Sequence, residues 1–74
     1  MTASEETRAL VAVIRELPAR QQQAIVLRHI EGMSNPEIGA AMDCSVEAVE
    51  SLLARARRQL TKDVQRRREA LGYD

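Results

Sequence analysis

Apolar residues recur along the chain at intervals of three and four, which is the spacing of one face of an α-helix. In the first segment this face holds Leu10, Val13, Ile14 and Leu17, and Pro18 marks its end. No stretch alternates apolar and polar residues beside a hairpin signal, which argues against strands. The pattern predicts an all-α fold, a small four-helix domain with helices at about residues 4–17, 18–30, 35–42 and 46–68.

The same periodicity predicts which side chains of the later helices face inward. In the second helix they are Ala24 and Leu27, with Ile25 and Ile30 beside them. In the third and last helices they are Ile38, Ala41, Met42, Val46, Val49, Leu53, Ala56, Leu60 and Val64. Because Tyr73 is the only aromatic residue of the chain, the predicted core is aliphatic.

Serines stand where the predicted helices begin, and a serine hydroxyl can accept the free N–H groups of a first helical turn. Ser4 and Ser45 precede the first and last helices, and Ser34 with Glu37 has the spacing of a capping box. Gly32 is placed to end the second helix. A short capped helix, a three-residue turn and a long helix form the pattern of a helix-turn-helix at about residues 35–54.

A helix-turn-helix binds DNA by placing its second, recognition helix in the major groove, which is about 12 Å wide. Gly39, Ala40 and Ala41 keep the first helix small enough for a close crossing. At the start of the last helix, the backbone N–H groups of residues 45–48 can meet a phosphate. Near the start of this helix the side chains are small, at Ser45, Ala48 and Ser51. The cationic residues Arg55, Arg58 and Lys62 follow further along the same helix. A helical hairpin without DNA-binding function has the same pattern, so both interpretations stay open here.

The charge distribution favours a nucleic-acid contact on one element of a neutral molecule. Residues 55–68 carry seven basic residues and one acidic residue, a local charge of +6, whereas the rest of the chain sums to −6. Such a polarity is compatible with DNA binding. The alternative is a solvated, arginine-rich helix end.

Length and composition exclude several classes of protein. Seventy-four residues allow one domain, predicted over residues 1–74. No run of about 18 apolar residues predicts a membrane span, and no signal-peptide pattern is present. Cys44 is the single cysteine, so no internal disulfide forms, and Cys44 with His29 makes a poor metal site. We expect no enzymatic activity, no cofactor, no small-molecule substrate and a cytoplasmic location.

Several segments in register resemble region 4, the C-terminal region of bacterial sigma factors, most closely that of the extracytoplasmic-function group of the sigma-70 family. The resemblance covers about residues 17–60. The segments that carry it are Leu17-Pro18-Ala19-Arg20-Gln21, residues 27–34 from Leu-Arg to Gly-Met-Ser, Glu37-Ile38-Gly39, and residues 45–57 ending in Arg55-Ala56-Arg57. The resemblance implies a four-helix domain that recognises the −35 element of promoter DNA and holds the flap of the RNA polymerase β subunit.

The resemblance and the residue pattern together give the predicted binding residues. For DNA these are Ser34, Asn35, Glu37, Ser45, Glu47, Ala48, Ser51, Arg55, Arg57 and Arg58. For the polymerase flap or an anti-sigma factor they are Leu10, Ile14, Ile25, Leu27 and Leu52. Arg57, at the edge of the packed face, is as well suited to a structural ion pair, and His29 is suited to complement the carbonyl dipole of its helix end.

The chain departs from the usual family pattern at three positions of the last helix. Glu50 stands where Lys or Arg is usual, Leu52 where Arg is usual, and Ala54 where a larger residue is usual. These changes lower the expected DNA affinity. Two alternatives therefore remain: a sigma-like protein-interaction module bound by an anti-sigma factor, and another helix-turn-helix regulator.

Overall fold

A computed structural model describes residues 4–70, except for the side chains at positions 6 and 67. The described residues form helices joined by short connections, and the predicted small all-α, four-helix fold is confirmed. The helices are α1 (Glu5–Glu16), α2 (Ala19–Ile25), α3 (Asn35–Met42) and α4 (Val46–Ala70), and α2 continues into a π-helical turn over Val26–Ile30. Each helix begins within one residue of its predicted start.

The serine caps predicted for the first and last helices are present. The Ser4 hydroxyl accepts the backbone N–H of Thr7 at 3.1 Å, and the Ser45 hydroxyl accepts the N–H of Ala48 at 3.1 Å. Each bond satisfies one of the free N–H groups that a helix start leaves without a partner. Local sequence therefore fixes where α1 and α4 begin.

The predicted capping box fixes the start of α3. The backbone N–H of Glu37 donates to the Ser34 hydroxyl at 3.3 Å, and the backbone N–H of Ser34 donates to the Glu37 carboxylate at 2.9 Å. The bond from the Ser34 backbone, followed by that with its side chain, holds the pKa of the Glu37 carboxyl below its ordinary 4.5.

This lowered pKa predicts a loss of stability in acid. A carboxyl whose pKa is depressed by folding stabilises the protein above its unfolded pKa, and that contribution is lost as the pH falls through the folded value. Below pH 4.5 we expect the free energy of unfolding to fall more steeply in the wild type than in Glu37→Gln, which cannot titrate. Urea unfolding across a pH series measures the difference, and parallel pH profiles would contradict it.

One aliphatic core joins the four helices. α1 supplies Val13, Leu17 follows directly after α1, and α2 supplies Ala24 and Ile25. The remaining buried apolar side chains, from α3 and α4, are Ile38, Met42, Val49, Leu53 and Ala56. Burial of this apolar surface is the main force that holds α4 against the other helices.

Three residues predicted to face inward are exposed. Ile30 is 68% exposed because the π turn has a wider hydrogen-bond spacing than the α-helix assumed for the prediction, which rotates Ile30 off the buried face. Leu10 is 43% exposed because α1 packs through its C-terminal half, where Val13 lies, with Leu17 directly after it. Ala41 is exposed because α3 turns Ile38, Gly39 and Met42 inward instead.

The turn of the helix-turn-helix depends on a close contact and on one unusual backbone conformation. A Cβ atom at Gly39 would lie 2.8 Å from the carbonyl oxygen of Cys44, so only glycine fits this approach without a shift. Asp43 ends α3 in the left-handed conformation, with φ of 56°. The N–H of Cys44 then donates to the Gly39 carbonyl at 2.9 Å. This geometry turns the chain from α3 into α4 within three residues.

Candidate nucleic-acid interface

The exposed side of α4 carries the small and cationic residues predicted to contact DNA. Ser51 and Arg55 are exposed, one helical turn apart, and Ala48 is half-buried one turn before Ser51. Arg58 follows, also exposed. At about 100° per residue these four positions lie within a narrow arc, opposite the buried ridge of Val49, Leu53 and Ala56. The packing of one side of α4 therefore presents the other side to a groove.

Among the side chains that the structure describes, neither Arg55 nor Arg58 forms an ion pair with a carboxylate. Their guanidinium groups are therefore available for phosphate oxygens or for the edge of a guanine. Glu47 is exposed in the first turn of α4, near the same stripe. A carboxylate there interacts favourably with the positive end of the helix dipole, and it repels a phosphate.

The cap of α4 uses one of the N–H groups that were predicted to meet a phosphate. The N–H of Ala48 is already bound by the Ser45 hydroxyl. A phosphate at the start of α4 would therefore meet the N–H groups before position 48, or would displace the Ser45 hydroxyl. Ser45 itself is exposed at the end of the turn.

At the start of α3, Ser34 and Glu37 hydrogen-bond to each other, so these polar groups cap the helix. Asn35, between them, is half-buried, and its Oδ1 atom lacks a hydrogen bond among the described residues. Among these three described side chains, Asn35 has the buried polar atom that lacks a partner.

Arg57 is separated from the predicted DNA-binding stripe. Two residues along a helix correspond to a rotation of about 200°, so Arg57 lies far around α4 from Arg55. Its Nη2 atom donates to Nε2 of His29, at 3.3 Å. Because arginine only donates, Nε2 of the imidazole is the acceptor in this contact. The contact joins the π turn to α4 across 28 positions of sequence, and no local pattern could have predicted it.

The apolar residues predicted to bind a protein partner do not form one surface. Ile25 is 3% exposed and belongs to the core, so it is unavailable for docking, contrary to the prediction. Ile14 and Leu52 are half-buried against the core. Leu27 lines a shallow groove of about 260 Å³ on α2, together with Val26 and Ala19. Leu10 is exposed on α1.

Nowhere in residues 4–70 do three His, Cys, Asp or Glu side chains come together as metal ligands. None of the helices described is both long and apolar enough to cross a membrane. Cys44, a free thiol, is half-buried beside the core, as expected for a small apolar side chain in the turn.

Comparison with known proteins agrees with this architecture. Residues 7–60 match the protein family described as Sigma-70, region 4. The extracytoplasmic-function RNA polymerase sigma-E factors of Escherichia coli K12 and Salmonella typhimurium LT2 are each 44% identical to the chain over 63 residues. The aligned part is 84% of this chain and 33% of each relative. The sigma-E factor of Haemophilus influenzae Rd is 38% identical over 65 residues, which are 88% of this chain and 34% of that protein.

The chain thus spans about a third of the length of the curated relatives that it matches. The family match covers α1 from residue 7, all of α2 and α3, and α4 as far as residue 60. It therefore includes the helix-turn-helix, its exposed stripe and most of the core. Because this match covers more than half of the chain, the chain belongs to the Sigma-70, region 4 family.

Proposed function

We propose that this chain recognises the −35 element of promoter DNA through α4 and attaches to RNA polymerase through the flap of the β subunit. The observation that carries the DNA half of the proposal is the stripe formed by half-buried Ala48 and exposed Ser51 and Arg55, opposite a buried ridge. Small side chains allow the backbone of α4 to approach base edges, and Arg55 can donate two hydrogen bonds to a guanine. The sigma-E relatives, named as RNA polymerase factors, support the same role.

The binding of DNA by this chain in isolation should be weak. Glu50 and Ala54 are exposed on α4 where family members usually have larger or basic residues, and Leu52 is half-buried against the core. With three or four phosphates neutralised, affinity falls steeply as salt rises. A domain brought to the promoter by RNA polymerase would tolerate such a weak contact.

Arg55→Ala tests the DNA half of the proposal. We expect duplex affinity to fall about 5–150-fold, the equivalent of about 1–3 kcal/mol, because a base contact is lost. Arg68→Ala is the matched control, since Arg68 is an exposed cation about 20 Å further along the same helix. Fluorescence anisotropy with a −35 duplex at two salt concentrations measures both variants. Equal losses for the two variants would mean that Arg55 acts only through its charge.

The polymerase half of the proposal is tested with the same variants. Arg55→Ala should bind a β-flap peptide as tightly as the wild type, because Leu10 and Leu27, the proposed contacts, lie on α1 and on the π turn at the end of α2. If Arg55→Ala greatly lowered the affinity for the peptide and left the affinity for DNA unchanged, the assignment of the two surfaces would be reversed. It would favour a second candidate, a protein-interaction module bound by an anti-sigma factor. The 43% exposure of both Leu10 and Val11 supports that candidate.

A further inference from the structure

A polar groove of about 460 Å³ lies between the corner that joins α1 to α2 and the middle of α4. Pro18 and Gln21 line it on the corner side, and Arg55, Arg58, Lys62 and Arg66 line it on the α4 side. Its volume falls within the range of about 300–1,000 Å³ that is typical of small-ligand sites. The groove therefore combines ligand-sized space with four cations.

The buried carboxylate of the groove is already neutralised. Asp63 is 9% exposed, accepts a hydrogen bond from Gln59 at 3.1 Å and forms an ion pair with Arg66. Arg66 and Gln59 are thereby held in place along one wall. Arg58 and Lys62 are exposed, and neither forms an ion pair within the described range. Although Glu16 also lines the groove, cationic side chains outnumber carboxylates there.

We propose that this groove binds phosphate oxyanions, and specifically a ligand with two or more linked phosphates. Arg58, Lys62 and Arg66 follow one another at four-residue intervals, so their Cα atoms are about 6 Å apart along the helix axis. The Arg58 guanidinium can bind phosphate oxygens through two hydrogen bonds, Lys62 adds a compact charge, and Arg66 offers the N–H groups that its ion pair with Asp63 does not use. Gln21 lines the opposite wall, where its amide can donate, so the site is a groove and not merely a charged helix face.

This proposal goes beyond recognition of the −35 element, because Gln21 lies on α2, and Lys62 and Arg66 lie further along α4 than the positions proposed to read bases. Two sources could supply the phosphates: a free polyphosphate, or the backbone of a DNA duplex that passes beside α4. The chemistry of the two is the same, and the experiment separates them.

Titration calorimetry with inorganic tripolyphosphate tests the groove itself. We expect Lys62→Gln and Gln21→Ala each to weaken binding about fivefold or more, since each removes a donor from one wall. Arg68→Gln also removes one positive charge, but from a residue outside the groove. It should therefore change the affinity for tripolyphosphate less than twofold. Circular dichroism checks that each variant is folded.

A short duplex of unrelated sequence, titrated at several salt concentrations, identifies the source. If the DNA backbone occupies the groove, Lys62→Gln lowers the slope of the salt dependence by about one and tripolyphosphate competes with the duplex. If the slope is unchanged while tripolyphosphate binding is lost, the occupant is a free polyphosphate; either result supports the groove. Equal effects of Lys62→Gln and Arg68→Gln with none from Gln21→Ala, or no binding of tripolyphosphate, would overturn it. The −35 proposal would then still stand or fall on Arg55.

Discussion

Replacing Ile38 with alanine should lower the free energy of unfolding by about 2–5 kcal/mol. Ile38 is 0% exposed and lies where α3 packs against α4. Truncation removes three buried carbon atoms and leaves a cavity that the surrounding side chains fill only in part. Because small domains are stable by only about 5–15 kcal/mol, this single change should remove a large share of the total.

Ile30→Ala is the matched control for this prediction. It removes the same atoms from a side chain that is 68% exposed, so its effect should stay within about 0.5 kcal/mol. Urea unfolding followed by circular dichroism gives both values. Similar losses for the two variants would show that α3 is not packed as described.

The second large effect is expected at Gly39. Replacing it with valine should lower the free energy of unfolding by about 1–3 kcal/mol or more. The added Cβ would meet the Cys44 carbonyl oxygen at 2.8 Å, and backbone atoms there cannot rotate away as a flexible side chain could. The turn at residues 43–45 must shift, and the start of α4 shifts with it. We therefore expect DNA affinity to fall together with stability.

Ala40→Val, one position further along α3, separates this clash from the low helix propensity of valine. Ala40 is exposed, so its substitution should cost only about 0.5 kcal/mol through propensity. Thermal unfolding of the two variants, each compared with the wild type, measures the difference. If Gly39→Val proved as stable as Ala40→Val, the close approach of the turn to α3 would be disproved.

Local hydrogen-bonding patterns made the helix starts predictable from sequence. A serine cap or a capping box involves residues three positions apart, so Ser34 and Glu37 can be recognised without knowledge of the fold. The buried face of α4 was equally accessible, because Val49, Leu53 and Ala56 follow the regular helical period.

The features that sequence could not provide depend on irregular backbone or on distant contacts. The prediction that Ile30 faces inward is wrong, because no residue pattern indicates the π turn that rotates this side chain outward. The contact of Arg57 with His29 joins helices that are distant in sequence. The polar groove forms only once Gln21 and Lys62 come together from α2 and α4.

The concentration of cations on one half of α4 has a consequence for the approach of the protein to a polyanion. Residues 55–68 carry +6 and the remainder −6, so the molecule has a large electric dipole moment while its net charge is zero. Near DNA the field exerts a torque that turns the cationic half inward before contact. At physiological salt the field is screened over about 8 Å, so this orientation occurs only in the final approach. Within that distance the protein no longer meets the DNA in all orientations with equal probability.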